Sequence, residues 1–397
     1  MRFVIFLWVS FFSLPSFSAL DHITEAELAL MHSLYQAQDR QISKTNLKAR
    51  LLENQFLLSH ARKLNLSLLD RHAPVGFDNT YHVRRYIRSM LLHKFPQLTH
   101  TSQKPLPVSL SGEELKSLLG PYPNNGQYTE QQRQKWRQVS LSKQPKLTLD
   151  DILASQSMQG RFSLHEGDTR LLNKDVEDFV SFHQLKNKAA PLLAKQKLSL
   201  TRLNLLALGE LLRPSIQAYL GVKSQLHGER SDYVDNIRSH VSDQEIAQFY
   251  ATHKNEFKYL QHISAFAAIF ENQKDAIAIY DNANKNKIQQ MFLKRGLRNH
   301  FSTSDNTQQL VQISRHHPEK WLAQVAFNNQ LEELSRPIRT PQGQWVLIYT
   351  DKPSYAYHAK NSETVRYRAL QHITRRKAKT AYAHLFNQWL LSANTKT

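Results

Sequence analysis

The chain has 397 residues, enough for several domains at about 100 to 200 residues each. It carries 52 lysines and arginines against 33 acidic residues, and this net charge of +19 favours anionic partners and salt-sensitive association. It contains no cysteine, which excludes disulfides, thiol catalysis and thiolate metal sites. Phosphate-binding glycine loops and nucleophile-elbow motifs do not occur in the sequence, and the 19 histidines lack metal-ligand spacing. We therefore predict no cofactor and no metal site.

The N-terminal stretch predicts an export signal. A positive charge at Arg2 precedes an apolar run over residues 3–14, and small residues follow at Ser16 and Ser18. The run is shorter than the about 20 residues that a membrane-spanning helix needs. We expect a cleavable signal peptide over residues 1–19 and a periplasmic protein, with a retained anchor as the alternative. Nucleic acid is then not an expected partner, whereas peripheral contact with an anionic membrane surface stays open.

The first part of the exported chain predicts helices. Thr24 and Glu27 have the spacing of a capping box, in which each side chain satisfies a backbone N–H of the other residue. A longer helix follows over residues 47–64, where apolar residues recur at helical spacing. Another helix is predicted over residues 78–95, because Pro96 cannot continue the backbone hydrogen bonding.

The middle of the chain predicts a loop followed by further helices. Prolines, asparagines and a glycine mark residues 100–127 as a loop or linker. Helical patterning resumes over residues 147–184, and a strongly apolar helix is predicted over residues 198–220. Within that helix Gly209 lowers the helix propensity by about 1 kcal/mol relative to alanine. Pro214 is expected to bend or interrupt it.

A helix signal runs directly into a strand signal over residues 241–270. Ser242 and Glu245 form a capping box at the helix start, and apolar residues follow at helical spacing. Residues 263–270 form a short apolar run with β-branched and aromatic side chains, which predicts a buried strand.

This stretch resembles the entry to the rotamase domain of the SurA/PpiC-type parvulin family of peptidyl-prolyl isomerases and chaperones. The family pattern joins a helix "V-[ST]-D-x-E-[IV]" to a first strand close to "V-R-A-x-H-I-L-V". Residues 263–270 of this chain occupy the positions of that strand. Ala267 therefore stands where the family has its active-site histidine.

A second block, residues 325–349, resembles the closing segment of the same domain, "A-F-x-L-x-x-G-E-[IV]-S-x-P-[IV]-x-T-x-x-G-x-H-[IV]-I". The positions that match at the family spacing are Ser335, Pro337, Ile338, Thr340 and Gly343. Phe327 falls on the pocket phenylalanine of the family. Trp345 replaces the second histidine and Glu332 replaces a glycine. An alanine cannot donate or accept a side-chain hydrogen bond and an indole can only donate, so we predict no catalytic residue and treat Ala267, Phe327 and Trp345 as candidate peptide-binding positions.

The resemblance implies an α+β fold, with a mostly helical SurA-like chaperone domain and a small parvulin-like α/β domain. A last helix, over residues 362–391, is expected to pack back on the N-terminal helices, as it does in the family. The predicted division is a signal peptide (1–19), a helical domain (20–257), a parvulin-like domain (258–353) and a C-terminal helix (354–397).

The implied function is that of a periplasmic folding factor that binds unfolded or nascent envelope polypeptides with weak or no isomerase activity. Two alternatives stay open at this point. One is an active peptidyl-prolyl isomerase with a rearranged pocket. The other is an assembly factor dedicated to one secretion or surface-polymer partner.

Overall fold

The structure, a computed structural model, describes residues 23–64, 66–69, 76–99, 107–224, 231–284, 287–303 and 308–394. Its contacts divide the chain into two compact units, which we call the helical unit (Met1–Ile237 and Arg375–Thr397) and the sheet unit (Arg238–Thr374). The predicted signal peptide lies outside the described residues. No helix in the described ranges is long and apolar enough to cross a bilayer. The domain limits proposed from the sequence stay predictions.

Helices dominate the helical unit. They are α1 (Glu25–Gln36), α2 (Lys44–Leu64), α3 (Asn79–Lys94), α4 (Gly112–Leu119), α5 (Glu130–Arg137), α6 (Leu149–Ser155), α7 (Met158–His165), α8 (Thr169–Lys195) and α9 (Leu200–Tyr219). A short antiparallel hairpin, β1 (Ser140–Lys143) with β2 (Lys146–Thr148), precedes α6. The capping box of Thr24 and Glu27 is formed at the start of α1, which confirms the predicted helix start.

Helix α4 lies within the stretch that the sequence predicts as a loop or linker. It begins with a capping box between Ser111 and Glu114 and ends at Gly120, whose φ of 70° is left-handed. Prolines and glycines flank this short helix on both sides and dominate the local pattern. The prediction therefore missed it.

Helix α9 runs without interruption through Pro214, so of the two predicted effects the interruption is wrong and the bend stays a prediction. A proline inside a helix costs about 3 kcal/mol, but helices in proteins draw most of their stability from packing, and α9 lies against α2 over much of its length. Gly209 explains the close approach of these two helices. A Cβ atom on Gly209 would lie 2.9 Å from the Cβ atom of Asn54 on α2, which is closer than real Cβ atoms come.

Several apolar clusters hold the helical unit together. The first lies between α1, α2, α3, α8 and α9 and includes the fully buried Met31, Leu47 and Met90. The second surrounds Trp136, whose indole N–H donates to the carbonyl oxygen of Leu118 at 3.2 Å. Burial of these side chains is the main favourable term in folding this unit.

The sheet unit is a small antiparallel sheet with helices on both faces. After α10 (Asp232–Ser239), which crosses the boundary between the units, its elements are α11 (Asp243–Thr252), β3 (Lys258–Phe270), α12 (Gln273–Asp281), α13 (Ile288–Lys294), β4 (Val311–Ser314), α14 (Lys320–Asn328), β5 (Ile338–Arg339) and β6 (Trp345–Tyr357). The strand order is β4-β3-β6-β5. Ser242 and Glu245 form the predicted capping box of α11, and the predicted strand at 263–270 lies within β3.

The last helix, α15 (Glu363–Asn394), begins in the sheet unit and continues into the helical unit from Arg375. In the helical unit Tyr382, Phe386 and Trp389 surround the buried ring of Phe56 on α2, with ring centroids between 5.3 and 6.0 Å apart. The predicted return of the C-terminal helix to the N-terminal helices is confirmed. The predicted α+β class, a mostly helical domain with a small α/β domain, is also confirmed.

Candidate peptide-binding site

Ala267 lies in the centre of β3 and is fully buried. It pairs directly with Ile348 on β6, so the two side chains lie on the same face of the sheet. Phe301 and Phe327 belong to the same apolar cluster on that face. The methyl group of Ala267 therefore lies inside a closed core.

The side chain of Asn299 binds the backbone of β3 at Ala265 and Ala267. Its fully buried side-chain amide accepts hydrogen bonds from the N–H groups of Ala267 and Phe301, both at 3.0 Å. It donates to the carbonyl oxygens of Ala265 and Gln309 at 3.0 and 2.8 Å. Strand β4 pairs with β3 only as far as Ala265. The amide thus substitutes for strand backbone where β4 has ended, and the sequence pattern did not point to it.

Phe327 packs beneath an arginine side chain. It is buried on α14, and the guanidinium carbon of the exposed Arg315 lies 4.8 Å from its ring centroid. An arginine over an aromatic ring is attracted by the ring quadrupole and is weakly hydrated. One approach to Phe327 is therefore covered by a flexible cation.

Two histidines approach the same cluster from outside the family motif. The backbone N–H of His300 donates to the carbonyl oxygen of Ala267 at 2.9 Å. Burial, followed by the positive charge of Arg298, lowers the pKa of the His300 imidazole. The imidazole of His317 meets the ring of Phe301 edge-on, with centroids 5.4 Å apart, and one of its nitrogens lies 3.1 Å from the carbonyl oxygen of Phe301. The backbone of His300 and the imidazole of His317 therefore lie beside the apolar cluster that contains Ala267 and Phe301.

Trp345 lies on the opposite face of the sheet. Side chains alternate along a strand, and Trp345 is three positions before Ile348, which shares the face of Ala267. Trp345 packs with a separate apolar cluster on that face of the sheet, which includes Phe266, Phe292 and Leu347. The structure therefore brings Ala267 and Phe327 together and places Trp345 elsewhere. Whether any of the three contacts a peptide stays a prediction.

The loops around this sheet keep left-handed backbone where the family has glycine. Gly343 has a φ of 91°, and Glu332, which replaces a family glycine, has a φ of 62°. The backbone N–H of Glu332 donates to the carbonyl oxygen of Thr350 at 2.7 Å. A non-glycine residue in this region costs about 1–2 kcal/mol, so the loop geometry is retained despite the substitution.

Residues 241–360 match the family model of the PPIC-type PPIase domain. This part of the chain therefore holds a domain similar to the PPIC-type PPIase domain. The match covers β3, α14 and β6, the elements that carry Ala267, Phe327 and Trp345. That Ala267 and Trp345 stand at the two histidine positions of the family stays a prediction from the motif spacing.

Two solved structures are also similar to the chain. One is the foldase protein PrsA from Streptococcus pneumoniae str. Canada MDR_19A, at 13% identity over 56% of this chain and 76% of that one, with a TM-score of 0.21. The other comes from work on PEB4 and Cj1289, described as SurA-like chaperones of Campylobacter jejuni, at 12% identity over 69% and 97% of the chains, with a TM-score of 0.23. At these TM-scores neither similarity bears on function. A comparison with curated proteins found no match.

An apolar groove in the helical unit, which we call the α7 groove, has the character of a peptide-binding surface. It encloses about 420 Å³ and is lined by Tyr122, Met158, Gln159, Phe162 and Ser163. The side chains of Phe162 and Met158 are 51% and 37% exposed, unusual for large apolar residues on a folded unit. Tyr122 meets Phe162 edge-on, with ring centroids 6.0 Å apart.

Proposed function

We propose that the protein is a periplasmic folding factor that binds unfolded envelope polypeptides and has weak or no prolyl isomerase activity. The observation that carries the proposal is the match to the PPIC-type domain. We join to it the prediction from motif spacing that Ala267 and Trp345 occupy the two histidine positions of that domain. Isomerisation by this family requires a twisted peptide bond to be held in a polar, desolvated pocket, since the uncatalysed barrier is about 18–20 kcal/mol. A closed apolar core around Ala267 supports binding or structural roles over that chemistry.

Two surface properties support client binding. The α7 groove exposes a flexible methionine and an aromatic ring, side chains that adapt to varied apolar segments. The net charge of +19 favours association with acidic polypeptides and with anionic envelope surfaces. We propose export on the basis of the N-terminal apolar stretch, and peripheral membrane contact on the basis of the net positive charge.

Suppression of aggregation tests this proposal. The protein should reduce the light scattering of several unrelated unfolded proteins, whereas a factor dedicated to one assembly partner should protect that partner alone. A double variant, Met158→Ser with Phe162→Ser, should need several-fold more protein for the same effect. Leu391→Ser is the matched control, because Leu391 is 68% exposed and lies on α15 rather than α7. Equal protection by all three proteins would exclude the α7 groove as the client surface.

An active isomerase is the second candidate function, favoured by the imidazole of His317 against Phe301 and by His300, whose backbone N–H donates to Ala267. A protease-coupled proline-tetrapeptide assay separates the two functions. We expect wild-type protein to leave the uncatalysed rate unchanged. Catalysis that disappears in a His300→Ala with His317→Ala variant, while aggregation suppression persists, would establish the second function instead.

A further inference from the structure

A cavity of about 450 Å³ in the helical unit carries an excess of positive charge. It lies where α2, α3 and α9 meet, and we call it the arginine cavity. Its polar lining includes Arg40, Arg50, Arg85, Tyr86, Ser89 and Glu210. Its volume is in the range of small-molecule sites, about 300–1,000 Å³.

The one carboxylate among these lining residues is already fully engaged. Glu210 is almost completely buried, and Arg50 donates to its two oxygens at 2.9 and 2.7 Å. The Tyr35 hydroxyl donates to it at 2.6 Å and the Asn54 amide at 2.7 Å. The charges of Arg50 and Glu210 therefore cancel, and neither is available to neutralise another group.

The remaining donors have no anionic partner. Within the described residues, Arg40 and Arg85 form no ion pair; their guanidinium carbons lie 5.4 Å from the ring of Tyr35 and 5.7 Å from the ring of Tyr81. The hydroxyl of Tyr86 is buried and meets no hydrogen-bond partner in the part of the chain that the structure describes. Buried polar groups are nearly always paired, so the lone hydroxyl of Tyr86 indicates a missing acceptor. The side chains of Arg40 and Arg85 are exposed to solvent and line the same cavity, which favours an anion as that acceptor.

We propose that the arginine cavity binds an oxyanion, a carboxylate or a phosphate, through Arg40, Arg85 and the hydroxyl of Tyr86. Guanidinium groups match both anions because their planar N–H pairs donate to two oxygens at once. The anion is either the carboxylate of a bound polypeptide or a free inorganic ion. The proposal is independent of client capture by the α7 groove.

Calorimetric titration of the full chain tests it with three probes: inorganic phosphate, acetate and an acetylated di-glutamate peptide. Arg40→Gln with Arg85→Gln should weaken binding at least tenfold. Tyr86→Phe keeps the ring and should weaken binding several-fold. Arg170→Gln is the matched control, because Arg170 is exposed on α8, has no side-chain partner among the described residues and lies outside the cavity. It should bind like wild type.

The probes also distinguish the source of the anion. Tightest binding of the peptide supports a polypeptide carboxylate, and tightest binding of phosphate supports a free inorganic ion. Should the double variant fail to fold by circular dichroism, Tyr86→Phe decides. The proposal would be overturned if wild type bound none of the probes. It would also be overturned if wild type, Tyr86→Phe and the double variant all bound with the same affinity.

Discussion

Asn299 is the side chain on which the Ala267 face most depends, so Asn299→Ala is the sharpest test of the sheet unit. The substitution removes four hydrogen bonds, two accepted from backbone N–H groups and two donated to carbonyl oxygens. At about 1 kcal/mol of net stability for each bond, the loss is about 4 kcal/mol. Since about 1.4 kcal/mol corresponds to a factor of ten, the opening equilibrium should rise about 1,000-fold.

Hydrogen exchange measured by mass spectrometry reports this loss locally, because amides in β3 and β6 exchange when the sheet opens. Peptides covering residues 258–270 and 345–357 should lose protection, while peptides covering residues 44–64 in the helical unit should not. Asn282→Ala is the matched control, since Asn282 is exposed and donates to the carbonyl of Ala278 on its own helix. A loss of protection below tenfold in β3 would refute the assigned role of Asn299.

Three further predictions concern the helical unit. Gly209→Ala should lower the free energy of unfolding by about 1–2 kcal/mol in chemical denaturation, because the added methyl group meets Asn54 and overpacking outweighs the gain in helix propensity. Burial raises the pKa of Glu210, but the hydrogen bonds that it accepts lower the pKa by more, so the net pKa lies below the usual value. The stability that ionised Glu210 contributes is therefore present above pH about 4.3 and is lost as the pH falls below that value. Glu210→Gln should lower the free energy of unfolding by about 3 kcal/mol at neutral pH. In thermal melts, the difference in melting temperature between the variant and wild type should shrink on acidification. Burial raises the pKa of Asp175 to about 6, although Gln156 donates to it. Ionisation of Asp175 above that pH opposes folding, so Asp175→Asn should stabilise the protein by about 1–2 kcal/mol at pH 8 and by little near pH 4.

Local signals were the ones that could be predicted from the sequence. The capping boxes at Thr24 and Ser242 depend on residues three positions apart, and both are formed. The strand at residues 263–270 follows from a run of apolar side chains that needs no partner to be recognised. Spacing alone also located the PPIC-type domain, because the matching motif residues lie within one short block.

Features that depend on distant partners could not be predicted. The groups that Asn299 binds on β3 are more than 30 positions away, and nothing near it in the sequence identifies them. The face of Trp345 depends on the register between β3 and β6, and a shift by one residue would reverse it. Helix α9 continues through Pro214 because packing outweighs a local preference, which the local pattern cannot reveal.

The register between β3 and β6 also decides whether histidines at positions 267 and 345 could face each other. A histidine placed at Ala267 would enter a core that already holds Phe301 and Phe327, at a cost of about 1–3 kcal/mol for overpacking and a similar amount for an unpaired polar group. A histidine at Trp345 would lie on the opposite face and could not meet it. Restoring both residues would therefore not restore a facing pair of imidazoles, because the neighbouring side chains have closed the space as well. Among the described residues, His317 brings its imidazole against Phe301 and His300 binds Ala267 through its backbone, so an isomerase activity at this face should depend on one of these two histidines.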